Sequence, residues 1–151
     1  MSDQFELNAE VRTDLGKGAS RRLRHFDGRV PGIIYGGDKA PQPLSLIRKD
    51  LEKALENEAF FSHVLIVNVG KNREKAILKD LQRHPAKNRV THVDFMRIDD
   101  NVAIKVHVPI HFLNESTCHG VKVQGGMIQH QATDIEVQCL PANIPSFIEV
   151  D

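Results

Sequence analysis

The segment Gly16-Lys17-Gly18-Ala19-Ser20-Arg21-Arg22-Leu23-Arg24 places four cations and two glycines within nine residues of a chain whose formal net charge is zero. The chemistry this suits is phosphate binding, because guanidinium forks and the free amides at a helix start both match phosphate oxygens. On a helix advancing about 100° per residue, Ala19, Leu23 and Phe26 fall on one side. Ser20, Arg21 and Arg24 fall on the other, with Arg22 near the border. The expectation is a short helix with an apolar underside and a cationic outer face. Gly16 and Gly18 are expected to let the backbone turn tightly and approach a partner. An ordinary solvated basic helix has the same composition.

A second group lies between Lys79 and Phe95. On a strand, His92 and Asp94 project from one face while Val93 and Phe95 project into a core. Lys79 and Gln82 do not share a face on a regular strand; a bend before Pro85 is expected to reorient Gln82. A row of Gln, His and Asp suits the edges and 2′-hydroxyls that RNA shows in its shallow minor groove. Tyr35, the only tyrosine, is suited to stack or to donate its hydroxyl. Plainer readings stand beside these. His92 and Asp94 can simply bond each other, and Tyr35 can be a core residue with a satisfied hydroxyl. Asp80 reads as a counter-charge to nearby cations. Lys87 and Arg89, beside Arg83, read as a phosphate rim or a solvated loop.

The elements needed to hold these residues are short strands. Phe5 to Arg12 alternates apolar and polar residues, as a half-buried strand does. Further strands are expected at 30–35, 42–47, 62–69, 74–82 and 90–98, with one long helix over 48–60 whose Glu52, Glu56 and Glu58 face solvent. That inventory predicts an α+β, mostly β fold: a six-stranded barrel-like domain with two helices over residues 1–99. Asp99-Asp100-Asn101 marks a boundary. Residues 100–151 predict an all-β domain, with a long strand from Val102 to Phe112 and short ones near 121–123, 127–130 and 134–140. The last stretch, Ser146 to Asp151, reads as a strand without a closing partner, so this domain is expected to be incomplete.

Charge is divided along the chain. Residues 1–99 carry a net +4 and residues 100–151 a net −4, so the first part alone is expected to face a polyanion. No stretch is apolar enough for a membrane span, and no membrane partner is expected. The first residues lack the pattern of a secretion signal. Two cysteines suggest a reducing cytoplasm. Cys118, His119, His130 and Cys139 match no tight zinc spacing, so neither metal nor cofactor is expected. No nucleophile elbow or phosphate-binding glycine loop is present, which argues against an enzyme.

The motifs NAEVR, GKGASRRLR, VPGIIYGG, QRHPAK and HVDF, in that order, resemble the bacterial large-subunit ribosomal protein twenty-five family across residues 5–98. Residues 100–151 resemble, more diffusely, the second domain of its longer general stress protein CTC type, through VPIHF, GVKVQGGMI and CLPANIP. The resemblance implies a non-catalytic cytoplasmic ribosomal protein that binds 5S ribosomal RNA at its loop E region. It implies a small β-barrel with flanking helices. The family's RNA contacts would fall on Arg12, Lys17, Ser20, Arg21, Arg24, Tyr35, Gln82, His92 and Asp94. Lys79 stands where some members have glutamine and implies phosphate attraction. Neighbouring large-subunit proteins or 23S rRNA are further expected partners. A non-ribosomal RNA module, like the anticodon-recognising barrels of some aminoacyl-tRNA synthetases, is the alternative.

Overall fold

A computed structural model describes residues 5–151. Six strands, β1 (Phe5–Val11), β2 (Arg29–Tyr35), β3 (Gln42–Ile47), β4 (Leu65–Val69), β5 (Asn72–Arg83) and β6 (Val90–Arg97), close into a barrel in the order β1-β3-β2-β6-β5-β4. Pairs β1–β4 and β2–β6 are parallel and the others antiparallel. Alternation turns one side of each strand inward, so Leu7, Val30, Ile34, Leu44, Val67, Val93 and Phe95 meet in one core. Gly32 is required for closure: a Cβ there would lie 2.9 Å from the Val93 carbonyl oxygen on the neighbouring strand.

Three helices attach to the barrel: α1 (Lys17–His25), α2 (Arg48–Ala54) and α3 (Ala59–Ser62). The single helix expected over 48–60 is therefore broken. In an unbroken helix Phe60 would sit about 180° around from Leu51 and point away from the core. The turn between α2 and α3, in which the Asn57 Oδ1 accepts from the Ala59 N–H at 3.0 Å, brings both residues to full burial. Phe60 then meets Phe5 edge to face, with ring centroids 5.6 Å apart. Of the three glutamates expected to face solvent, Glu56 and Glu58 do, Glu58 while also pairing with His111 at 2.8 Å; Glu52 is half-buried, its Oε1 without a hydrogen-bond partner among the described residues.

Glu74 points inward among the barrel strands but is not alone. The Arg97 Nε donates to it at 2.5 Å and the Lys39 Nζ at 2.7 Å, while Arg97 also reaches the Gly36 carbonyl at 3.3 Å. Burial pushes the Glu74 carboxyl up, but the hydrogen bonds and charges of Lys39 and Arg97 outweigh burial and hold it below its ordinary value of 4.5. The unfolded chain thus takes up this proton first on acidification. Glu74's contribution to stability is complete above about pH 4.5 and is lost as pH falls through its lower folded value. Urea melts down to roughly pH 3 should show a steeper acid loss for the wild type than for Glu74→Gln. Equal losses would assign the acid lability elsewhere.

Beyond the barrel, β7 (Ile104–Phe112), α4 (His119–Lys122), β8 (Asp134–Cys139) and β9 (Ile148–Val150) follow. They form a sheet in the order β8-β7-β9, antiparallel then parallel. The closing strand does have a partner: Ile148 to Val150 pairs with Ile110 to Phe112. The strands expected at 121–123 and 127–130 do not form. The Val121 and Lys122 amides both bond the Cys118 carbonyl, a local helical arrangement that consumes the groups a ladder would need. Val102 lies before β7, in a turn whose amide bonds the Asp99 carbonyl, and is 54% exposed.

A second core joins the two sheets. Ile104, Val106 and Val108 pack with Ile77 of β5 and with Ile98, and Met96 of β6 lies against them. The outer face of β5–β6 is therefore divided. The part carrying Ile77 and Met96 is covered by the second sheet, and the part nearer the β5–β6 turn stays open.

Candidate nucleic-acid interface

The open part of that face depends on a β-bulge. Leu78 pairs with Phe95, yet Asp80 pairs with Asp94, leaving Lys79 as the extra residue on β5. One inserted residue inverts the alternation beyond it. Asp80 and Gln82 turn outward and Leu81 inward. Gln82 then sits opposite His92, and Asp80 opposite Asp94. The bulge, and not the expected bend before Pro85, reorients Gln82. Lys79 itself is exposed at the bulge.

His92 and Asp94 are bonded, Nδ1 to Oδ1 at 2.6 Å, with side chains 32% and 28% exposed. The bond orients the ring and leaves Nε2 available to a ligand at the open face. Tyr35, half-buried on β2, borders the same face. Burial, then the charges of Asp94 and Asp80, push its phenol up from the ordinary value of 10.0, so it keeps its proton as a donor. The face thus offers a donor, paired acceptors, and the amide of Gln82, which is both.

Asp80 does not act as a counter-charge: among the described residues no cation pairs with it, and its Oδ1 accepts from the Leu81 amide at 2.8 Å. Two carboxylates directly opposite each other on adjacent strands repel. Asp80→Asn keeps the acceptor oxygen and removes that repulsion. It should raise the unfolding free energy by about 0.5 kcal/mol in urea melts. A loss of stability would show that the repulsion is already compensated.

Helix α1 begins where Gly16, at φ 99°, turns the chain into it. Gly18 is an ordinary residue of the first helical turn and not a second turn glycine. Ala19 is buried and Leu23 half-buried, as the periodicity requires. Phe26 departs from it and is 81% exposed. It caps the helix through an amide bond to the Arg22 carbonyl, and the chain leaves the surface immediately afterwards at Gly28. Arg12 reaches from the end of β1 to the Ser20 hydroxyl at 3.2 Å and the Asp14 carbonyl at 3.0 Å, clamping the helix start. Arg24 donates to the Thr91 carbonyl at 3.2 Å, and Arg48 donates to the Arg24 carbonyl at 2.7 Å. Lys17 and Arg21 are exposed one turn apart.

The expected site residues therefore form two adjacent groups. Arg12, Lys17, Ser20, Arg21 and Arg24 lie on or beside α1. Tyr35, Lys79, Gln82, His92 and Asp94 lie on the open face of β2, β6 and β5. The bond from Arg24 to Thr91, next to His92, joins them. Arg48 was not foreseen at this site; nothing in its local sequence signals a contact that depends on the barrel bringing 48 to 24.

The cations sort by partner. Arg22, Arg29, Lys39, Arg73, Lys75 and Arg97 are paired with carboxylates. Among the described residues of the barrel domain, twelve cations make no such pair: Arg12, Lys17, Arg21, Arg24, Arg48, Lys49, Lys53, Lys71, Lys79, Arg83, Lys87 and Arg89. Nine of them lie on α1, beside it at Arg12 and Arg48, at the Lys79 bulge or around the β5–β6 turn, while Lys49 and Lys53 lie on α2 and Lys71 in the turn between β4 and β5. Desolvating a cation already held by a carboxylate gains little, so the second set is the one available to a polyanion.

The Cys118, His119, His130 and Cys139 set does not assemble: among the described residues no group of three or more His, Cys, Asp or Glu could hold a metal ion. His130 instead pairs with Glu115 at 3.1 Å. His107 and His111, four apart on β7, bind separate carboxylates, Asp134 and Glu58.

Comparison with known proteins matches residues 7–95 to the Ribosomal L25p family and residues 103–151 to the ribosomal protein TL5 C-terminal domain. A large ribosomal subunit protein bL25 of Ectopseudomonas mendocina (strain ymp) is 60% identical over 97% of this chain and 73% of its own length. Proteins of the same name from Hahella chejuensis and Cellvibrio japonicus are 56% and 54% identical over all of this chain and 73% and 74% of their own lengths. With most of the barrel inside the first match and a relative this similar, the chain belongs to the ribosomal L25p family.

Proposed function

We propose that the barrel binds 5S ribosomal RNA at its loop E region, with α1 gripping the backbone and the open strand face reading the minor groove. Membership of the family sets the coarser role: a structural, non-catalytic constituent of the large ribosomal subunit in the bacterial cytoplasm. The observation that carries the finer reading is the concentration of unpaired cations, nine of the barrel domain's twelve, on and around α1 and along the neighbouring β5–β6 strand face. Lys17, Arg21, Arg24 and Lys79 supply phosphate contacts, which position without reading sequence. Arg12 and Ser20 hold α1 in place and present their remaining polar groups at its edge. Tyr35, Gln82, His92 and Asp94 supply the donors and acceptors that select an irregular minor groove over a plain A-form one.

The same reading divides the chain into an RNA-binding domain, residues 1–99, and a second domain, residues 100–151. The net negative charge of the second domain suits contact with a neighbouring large-subunit protein better than with 23S rRNA. Its apolar junction at Ile77, Ile98 and Val106 makes it a fixed extension of the barrel and not a freely swinging appendage.

Binding to a 5S rRNA loop E fragment and to a length-matched regular duplex, each across a salt series, tests the proposal. A strong preference for the fragment with a steep negative salt slope is expected. Equal, weak binding to both would reduce the face to a generic basic surface, and preference for tRNA in competition would favour an anticodon-type module.

A further inference from the structure

Between α1 and the β5–β6 turn runs a groove of about 440 Å³, within the roughly 300–1,000 Å³ range of small-ligand sites. Arg24, Arg48, Lys87, Arg89 and His84 line it, and no Asp or Glu does. Among the described residues, none of its Lys or Arg side chains has a carboxylate partner. The Nε of Arg48 is buried with no hydrogen-bond partner while its Nη2 is held by the Arg24 carbonyl. Phe26 stands at the rim, 81% exposed, with its ring 5.6 Å from that of His25. An exposed phenylalanine beside uncompensated cations is the combination that single-stranded nucleic acid uses: phosphates take the charges and an unpaired base takes the ring.

We infer that this groove is a second RNA contact, holding a single-stranded segment with one unpaired base stacked on Phe26 and its phosphates on Arg48, Lys87 and Arg89. A regular duplex keeps its bases stacked on one another and offers Phe26 no face, so the groove selects unpaired nucleotides. The inference rests on the RNA-binding reading of the adjacent surface and adds to it a neighbouring site that shares Arg21 and Arg24 as a border but takes a distinct substrate.

The chain has no tryptophan, so Phe26→Trp introduces a single fluorophore at the rim. The full chain carrying it is titrated with an oligouridine of about ten nucleotides, a regular RNA duplex of the same length, and sodium tripolyphosphate. Oligouridine should quench the indole. The duplex and tripolyphosphate should not, although tripolyphosphate should compete. Phe26→Ala should weaken oligouridine binding by about fivefold or more. Lys87→Ala with Arg89→Ala should weaken it and flatten its salt dependence. Quenching by tripolyphosphate alone, or unchanged oligouridine affinity in Phe26→Ala, would overturn the stacked-base site. Asp94→Ala separates the two claims, since it should lower the preference for the loop E fragment and leave oligouridine binding intact. Lost quenching with a normal Asp94→Ala effect sinks the groove alone. Intact quenching with no Asp94→Ala effect sinks the strand-face reading alone. Thermal melts show that each variant is folded, and because Phe26 makes little packing contact its replacement should leave the melt unchanged.

Discussion

Lys17→Ala combined with Arg21→Ala should leave the thermal melt in place and reduce affinity for the loop E fragment about tenfold or more, with the log–log salt slope shallower by about two. Both side chains are exposed, and neither makes an ion pair or side-chain hydrogen bond among the described residues. Their removal therefore costs the fold nothing that contacts can account for. Each cation that neutralises a phosphate releases about one condensed counterion, which is what the slope counts. The neighbouring Arg22 is an internal control. It is paired with Asp14 at 3.3 Å, so Arg22→Ala should move the slope less. An unchanged slope in the double variant would place α1 outside the interface. An equal effect from Arg22 would show that the helix acts as a diffuse charge and not through a face.

Phe95→Ala should lower the unfolding free energy by about 3–5 kcal/mol, a large part of what a domain of this size commonly has. Phe95 is fully buried in the barrel core, one residue from Asp94, which faces out. Ile34 of β2 and Leu78 of β5 flank it on the two neighbouring strands and Val93 lies two residues away on its own strand, all held by ladders that cannot close inward, so the deleted ring leaves a cavity. Phe95→Leu should recover much of the loss by refilling it. Urea melts measure both. The adjacent Asp94→Ala should show the opposite profile, with small change in the melt and reduced RNA selectivity. If Phe95→Ala cost under about 1 kcal/mol, the strand alternation that puts 93 and 95 inside and 92 and 94 outside would be in error.

Much of this was legible in the chain. The six barrel strands follow from period-two alternation, because a closed sheet with a packed interior demands it of every strand. The basic helix was legible from its charges and its Ala19–Leu23 stripe. The resemblance carried by GKGASRRLR, QRHPAK and HVDF pointed to the family that the comparisons then established. Failures came where one local pattern had two meanings. Val121–Val123 and Met127–His130 alternate enough to read as strands, but a strand exists only with a partner: residues 121–123 take local helical bonds instead, and residues 127–130 join no ladder among the described residues. Residues 48–60 read as one helix, although no unbroken helix could bury both Leu51 and Phe60.

The amino-acid order by itself determined which residues carry the chemistry: a cationic helix, a polar row around His92 and Asp94, and a barrel to present them. Only the tertiary structure decided which of them can act together. The bulge at Lys79 places Gln82 opposite His92, carboxylates elsewhere absorb six of the barrel's cations, and the second sheet covers Ile77 while leaving Asp80 open. The reason is physical. Side-chain type and periodicity are properties of a segment, but register, ion pairing and burial are properties of two segments far apart in sequence, and only closing the barrel brings those segments together.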